Sequence, residues 1–166
     1  MQKYILDTNI YMNAYDRFYL PAHFPSFWDE ISNHLNDCVV IPKVVMDENV
    51  KDDWFSLWIK ENYQHKLIGT APYGNEFAEV LSHIQEQEHY TDQVLIDWSR
   101  EKIADTWLLA MAKKENYTIV TAETPNPNLH KNASPSKSAK IPDVAKELGI
   151  ECINQNEFFA RIDLKI

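Results

Sequence analysis

Cys38-Val39-Val40-Ile41 is apolar at every position, and Pro42 follows at once. A strand with one wet face alternates polar and apolar residues. A short strand that is apolar throughout is covered on both faces, as in a parallel sheet flanked by helices. Just upstream, Phe27, Trp28, Ile31 and Leu35 recur at helical spacing within 26–36, after Pro25. Just downstream, Pro42 suits the first turn of a helix, and the pattern carries that helix to about residue 63.

Further out, the same alternation repeats. Residues 3–6, 66–68, 117–121 and 150–153 read as short strands. Helices are expected over 8–19, 76–89, 92–98, 101–116, 142–148 and 156–163. Trp107-Leu108-Leu109-Ala110-Met111-Ala112 is apolar nearly all round, so its helix is expected to be central and buried. Residues 122–140 form a polar loop with Pro125, Pro127 and Pro135, long enough to suggest a functional segment. Strands separated by helices predict an α/β fold: a three-layer α/β/α sandwich around a central parallel sheet of four to five strands. Residues 1–166 read as a single domain.

The chain has 166 residues, of which 45% are hydrophobic, enough for one sizeable core. The apolar start of the chain ends at Asp7, so it does not read as a signal peptide. No run approaches the roughly 18 apolar residues of a membrane span. Cys38 and Cys152 lie in separate apolar segments and form no CxxC pair, which fits reduced core thiols and a cytoplasmic protein without membrane attachment. The three glycines, Gly69, Gly74 and Gly149, exclude GxxxxGK[ST] and GxGxxG phosphate loops. There is no HExxH and no G-x-S-x-G elbow, and the six histidines show no zinc spacing with the two cysteines. The net charge of −9 is unlike that of a general nucleic-acid binder, which neutralises phosphate with basic side chains. Some of the 25 acids serve solubility; others are placed to gather a cation that would supply the missing positive charge.

Ligands of parallel α/β sheets bind beyond the carboxyl ends of the strands. Asp7 follows Ile5-Leu6 there, and Glu123 follows Ile119-Val120-Thr121-Ala122. Glu48 interrupts the apolar stripe Val44, Val45, Lys51, Phe55, Trp58. Asp105 enters the most buried helix early, and Asp143 follows the polar loop. Taken singly, Asp7 also fits a helix cap, Glu48 a solvated helix acid, Asp105 a first-turn acid, and Glu123 and Asp143 loop or cap residues. Together they place one acid after each of several core elements. Burying ionised carboxylates without partners costs several kcal/mol each. A hard divalent ion, Mg²⁺ or Mn²⁺, resolves that cost with oxygen ligands.

At these residues the chain resembles the PIN-domain superfamily. Tyr4-Ile5-Leu6-Asp7-Thr8-Asn9-Ile10 is similar to its opening strand with D-T-N or D-T-S. Ile41-Pro42-Lys43-Val44-Val45-Met46-Asp47-Glu48 resembles its second motif, Ile103-Ala104-Asp105-Thr106-Trp107-Leu108-Leu109 its third, and Ile119-Val120-Thr121-Ala122-Glu123 its fourth. Phe24-Pro25-Ser26-Phe27-Trp28-Asp29 and Lys140-Ile141-Pro142-Asp143-Val144 resemble an uncharacterised, mostly prokaryotic PIN subfamily. The resemblance implies a metal-dependent endoribonuclease, a hydrolase of phosphodiester bonds. Many members are VapC-type toxins of toxin–antitoxin pairs, held by a small antitoxin. By carry-over, Asp7, Asp105 and Glu123 are expected metal ligands, with Glu48 and Asp143 further catalytic acids. Glu123 replaces the usual fourth Asp, and its longer arm suggests contact through water.

His130, Lys131, Lys137 and Lys140 on the polar loop are expected to meet an RNA backbone, with plain solvation as the alternative for the lysines. The aromatics of 54–58 and 18–24 are candidates for an apolar patch that seats an antitoxin or a second copy in a homodimer. Two other functions compete. A haloacid-dehalogenase-like phosphohydrolase also starts with strand-then-Asp, but wants an acid where Asn9 stands. A non-catalytic PIN-like binding module would keep the fold with a relict site.

Overall fold

A computed structural model describes residues 1–49, 52–131 and 133–166. Five parallel strands form the sheet: β1 (Tyr4–Leu6), β2 (Val39–Pro42), β3 (Leu67–Ile68), β4 (Thr118–Val120) and β5 (Cys152–Ile153). Their order is β3-β2-β1-β4-β5. The chain first builds outward from β1 to β2 and β3, then crosses back to add β4 and β5 on the other side. β1 is therefore the switch strand, and the crevice beyond its carboxyl end, beside β4, is where such sheets bind ligands. Tyr4, Ile5 and Leu6 pair with Thr118, Ile119 and Val120, and the Asp7 amide extends this ladder by donating to the Val120 carbonyl at 2.9 Å.

The apolar strand residues are covered on both faces, as their composition requires. On one side lie α1 (Thr8–Asn13), α2 (Pro25–Asp37), α4 (Asp53–Tyr63) and α9 (Gln155–Arg161). Ile10, Phe27, Ile31, Leu35 and Phe158 from these helices close against Leu6. Tyr4 meets Phe158 edge-on at 5.1 Å, and Tyr15 packs on Phe55 at 4.8 Å. On the other side α7 (Ala104–Glu115) packs against β4, α3 (Lys43–Glu48), α5 (Gly74–Glu86) and α8 (Ile141–Leu148), with α6 (Asp92–Trp98) beside α5. Leu108, Leu109, Ala110 and Met111 are wholly inaccessible, so the helix expected to be central is central. The three-layer α/β/α sandwich with a parallel sheet is thus as expected, with five strands.

Two helices differ from the sequence reading. The first continues past Asn13 as a π turn over Ala14–Phe18. The helix expected over 42–63 is two, α3 and α4. Asn49 ends the first: its buried amide donates to the Val45 carbonyl at 2.8 Å and accepts from the Tyr15 hydroxyl at 2.8 Å. Asp52 then caps the second by accepting from the Phe55 amide at 2.7 Å. Asn and Asp prefer such ends and caps over helix interiors because their side chains compete for the backbone. Lys51, counted in the expected stripe, lies outside the described residues. Among the described residues no helix is long and apolar enough to cross a membrane, and both cysteines are free.

Gly149 ends α8 in the left-handed region at φ 71°, where a Cβ strains the backbone even though open space surrounds it. Gly149→Ala is expected to lower stability by about 1 kcal/mol, read as a shift in the urea midpoint with an unchanged slope.

Candidate functional site

Three helices begin beside the carboxyl ends of β1 and β4. Thr8 opens α1 directly after β1, Ala104 opens α7, and Ile141 opens α8. Each helix start presents unpaired N–H groups and the positive end of a dipole, which favours carboxylates there. Two of the predicted acids use this. Glu48 reaches from the end of α3 to accept from the Ala104 amide through Oε1 at 2.7 Å and from the Thr8 hydroxyl through Oε2 at 2.6 Å. Glu123 accepts from the Ile141 amide through Oε2 at 2.8 Å. Both acids are held in place by one oxygen or two, each from outside the helix it caps.

Asp7 is 4% exposed and makes no capping hydrogen bond to α1. Its Oδ2 instead accepts from the Thr121 hydroxyl at 2.7 Å and from the Asn9 amide at 2.8 Å. Asn9 also accepts from the Ala122 amide at 3.0 Å, and the Thr121 oxygen accepts from the Glu123 amide at 3.1 Å. A short polar clasp thus locks the ends of β1 and β4 together and orients Asp7 across the switch point. Asp105, in the first turn of α7, is half-buried, and among the described residues no group donates a hydrogen bond to its carboxylate.

The acids act on one another. Burial raises Asp7 to about 6 against an ordinary 3.8; the Thr121 hydrogen bond opposes this, and the charges of Glu123 and Glu48 add to it. Asp105 is pushed up to about 7, first by burial, then by the charges of Asp7, Glu123 and Glu48, with Lys140 opposing. Cys152, on neighbouring β5, is pushed up to about 12 by burial and by the charges of Asp7 and Glu123. Four predicted acids, Asp7, Glu48, Asp105 and Glu123, are thus near enough for their charges to act on one another, with Lys140 opposing at Asp105, but among the described residues no three of them bring carboxylate oxygens within 4.8 Å of one another. The donors are carboxylate oxygens with hydroxyl and amide neighbours, a hard set that suits Mg²⁺ or Mn²⁺ and offers no nitrogen or sulfur.

Asp143 stands apart. It is not among the charges acting on Asp7 or Asp105. Its Oδ2 accepts from the Asn126 amide at 2.9 Å and so ties the 122–140 loop to α8. Lys131 and Lys137 are exposed on that loop, whereas the His130 ring meets that of His89 edge-on at 4.6 Å. Phe18, Phe24, Trp54 and Leu57 are all more than one-third exposed, and Trp54 stacks on Trp58 at 5.6 Å.

Sequence reasoning missed Thr121 and the bridging role of Asn9 and Thr8. A hydroxyl or amide beside a strand end was the available signal, but Thr8 and Asn9 read equally well as ordinary helix starters.

A family profile described as "Domain of unknown function (DUF4411)" matches residues 4–166. No curated protein matches the chain. Among solved structures, the chain is similar to one from VapBC2 of Rickettsia felis bound to a DNA fragment from their promoter. That match is 13% identical and covers 92% of this chain and 98% of that chain at a TM-score of 0.46. A likeness this remote says nothing about chemistry.

Proposed function

The chain belongs to the DUF4411 family, and for this member we propose a divalent-metal-dependent endoribonuclease of PIN type. The observation that carries the reading is Asp105: a half-buried carboxylate without a donor, beside Asp7, Glu48 and Glu123. A cation would offset the mutual repulsion of these acids, which Lys140 opposes at Asp105.

Asp7, Asp105 and Glu123 would hold Mg²⁺ or Mn²⁺. When bound, the ion supplies charge stabilisation to a phosphodiester and eases deprotonation of the attacking water. The chain's own residues do the rest. Thr121 and Asn9 fix the Asp7 carboxylate, so it needs no reorganisation on binding. Glu48 sets the start of α7 and with it the position of Asp105. Glu123 keeps Oε1 free of hydrogen bonds among the described residues, available to orient a water. Lys140 faces the acids and is suited to a backbone phosphate, with Lys131 and Lys137 further out on the same loop. Asp143 positions that loop rather than touching the reacting atoms. The choice of RNA as substrate rests on the resemblance of the four motifs.

A haloacid-dehalogenase-like reaction is disfavoured by Asn9. It occupies the position where that chemistry wants an acid, and its amide is committed to Asp7. The test is cleavage of labelled single-stranded RNA with Mg²⁺ or Mn²⁺. Wild type is expected to cut internally, and Asp7→Asn to lose cutting by about 10³-fold. If Asp7→Asn cuts as fast as wild type, the assignment fails. Hydrolysis of para-nitrophenyl phosphate without RNA cleavage would favour the phosphohydrolase. Calorimetry with Mn²⁺ checks the ligands separately: a binding isotherm in wild type and none in Asp7→Asn is expected, whereas no binding to wild type favours a relict module.

A further inference from the structure

Away from the acids, His89, His130 and Glu147 each offer a ligand atom, and these atoms all lie within 4.8 Å of one another. We propose that this cluster is a second metal site, one that takes Zn²⁺ and staples the 122–140 loop to α8 and to the link between α5 and α6. The three residues come from three separate segments. His89 lies just before α6, His130 on the loop, and Glu147 in the last turn of α8. No local helix or turn brings them together.

Backbone contacts place two of them. The Ser136 amide donates to the His89 carbonyl at 2.8 Å, and the Thr91 amide donates to the Ser136 carbonyl at 3.0 Å. These bonds lay the loop alongside residues 89–91. Leu129 buries its side chain and so fixes the neighbouring His130, whose exposed ring sits 4.6 Å from that of His89. Glu147 Oε2 lies 2.7 Å from His89 Nε2. The other oxygen, Oε1, accepts from the Tyr90 hydroxyl at 3.0 Å and lies 3.2 Å from His83 Nε2. A ligand carboxylate oriented by outer hydrogen bonds is what metal sites require. The cluster borders a cleft of about 500 Å³ lined by Pro127, His130, Asp143 and Glu147, which gives an ion a way in.

The ligand chemistry separates this site from the carboxylate pocket. Two imidazoles and one carboxylate suit Zn²⁺, which accepts nitrogen and oxygen at four positions. Mg²⁺ takes hard oxygen ligands and would not choose it. On binding, the ion takes the place of the hydrogen bond between His89 Nε2 and Glu147 Oε2. The consequence is mechanical: the segment that bears Lys131 and Lys137 becomes pinned at His130. The inference does not depend on the ribonuclease reading.

Co²⁺ serves as the spectroscopic stand-in. It absorbs strongly in the visible range when four-coordinate with nitrogen ligands and weakly when octahedral among oxygens. Added to the metal-free full chain, Co²⁺ is expected to give a strong band that Zn²⁺ abolishes. His130→Ala, an exposed loop change that leaves the core intact, is expected to lose the band, and so is Glu147→Gln. Tyr90→Phe is expected to keep it with about tenfold weaker binding. Asp105→Asn is expected to retain it in full. In Asp105→Asn, where the carboxylate pocket is impaired, Zn²⁺ should also raise the melting temperature, and no longer do so once His130→Ala is added. The proposal is overturned if wild type gives no strong band, or if the band survives in His130→Ala. It is equally overturned if Asp105→Asn removes the band.

Discussion

Asp105→Asn is expected to lower RNA cleavage by about 10³-fold and at the same time to raise the melting temperature of the metal-free protein at pH 8. The two effects have one cause. Asp105 is pushed up to about 7 and Asp7 to about 6, against 3.8 for the free side chain. A carboxyl whose folded value lies above its unfolded value favours the fold while protonated. That contribution is present in full below 3.8 and is lost as pH rises through about 6 for Asp7 and about 7 for Asp105. At pH 8 both are ionised, and the metal-free fold carries their mutual repulsion. Asn cannot ionise, so it removes that cost. The partial exposure of Asp105 tempers the gain, which is expected at about 2 kcal/mol, or about 5 °C in Tm. Wild type in EDTA should melt at progressively lower temperature from pH 5 to pH 8, and Asp105→Asn should show a shallower fall. Mg²⁺ or Mn²⁺ should restore the wild type at pH 8 and do little at pH 5, where protons already occupy the ligands. A metal-free Tm for Asp105→Asn below that of wild type at pH 8 would contradict this account.

Glu48→Ala should also reduce cleavage, but with the opposite sign on stability. Its two oxygens accept from the Ala104 amide and the Thr8 hydroxyl, at 2.7 and 2.6 Å. Hydrogen bonds to a charged acceptor contribute about 1.5–3 kcal/mol each, and truncation leaves the first amide of the central helix without its partner. Removing the Glu48 charge also relieves repulsion at Asp7 and Asp105, so the net loss is masked at pH 8. At pH 5.5 those two acids are largely protonated and the masking disappears. The expected loss there is about 2 kcal/mol, again about 5 °C in Tm. An unchanged Tm at pH 5.5 would mean that Glu48 does not anchor α7. Together the two variants separate an acid that only serves a cation from one that also builds the site.

The layer architecture was legible because each strand is short and apolar and each helix buries a stripe. Cys38-Val39-Val40-Ile41 already implied a sheet covered on both sides, and Trp107 to Ala112 implied the central helix. The breaks were less legible. Asn49 and Asp52 interrupt the expected helix over 42–63 through side-chain bonds to Val45, Tyr15 and Phe55, and only one of these partners, Tyr15, is distant in sequence. A local pattern of apolar spacing does not weigh such competing hydrogen bonds.

The acids follow the same division. Asp7 and Glu123 were recognisable because a parallel strand must deliver its next residue to the carboxyl edge. Asp105 was recognisable because an acid in an apolar helix demands a reason. The sequence by itself therefore determined which acids are anomalous and on which element each one lies. Only the tertiary structure decided which of them meet. The strand order β3-β2-β1-β4-β5 brings the ends of β1 and β4 side by side, and the starts of α7 and α8 then draw in Glu48 and Glu123 through unpaired amides. Asp143, equally conspicuous in sequence, was left with the loop at Asn126. The His89, His130 and Glu147 cluster was invisible in sequence for the same reason, since three segments with no shared spacing meet only when the loop folds back along residues 89–91.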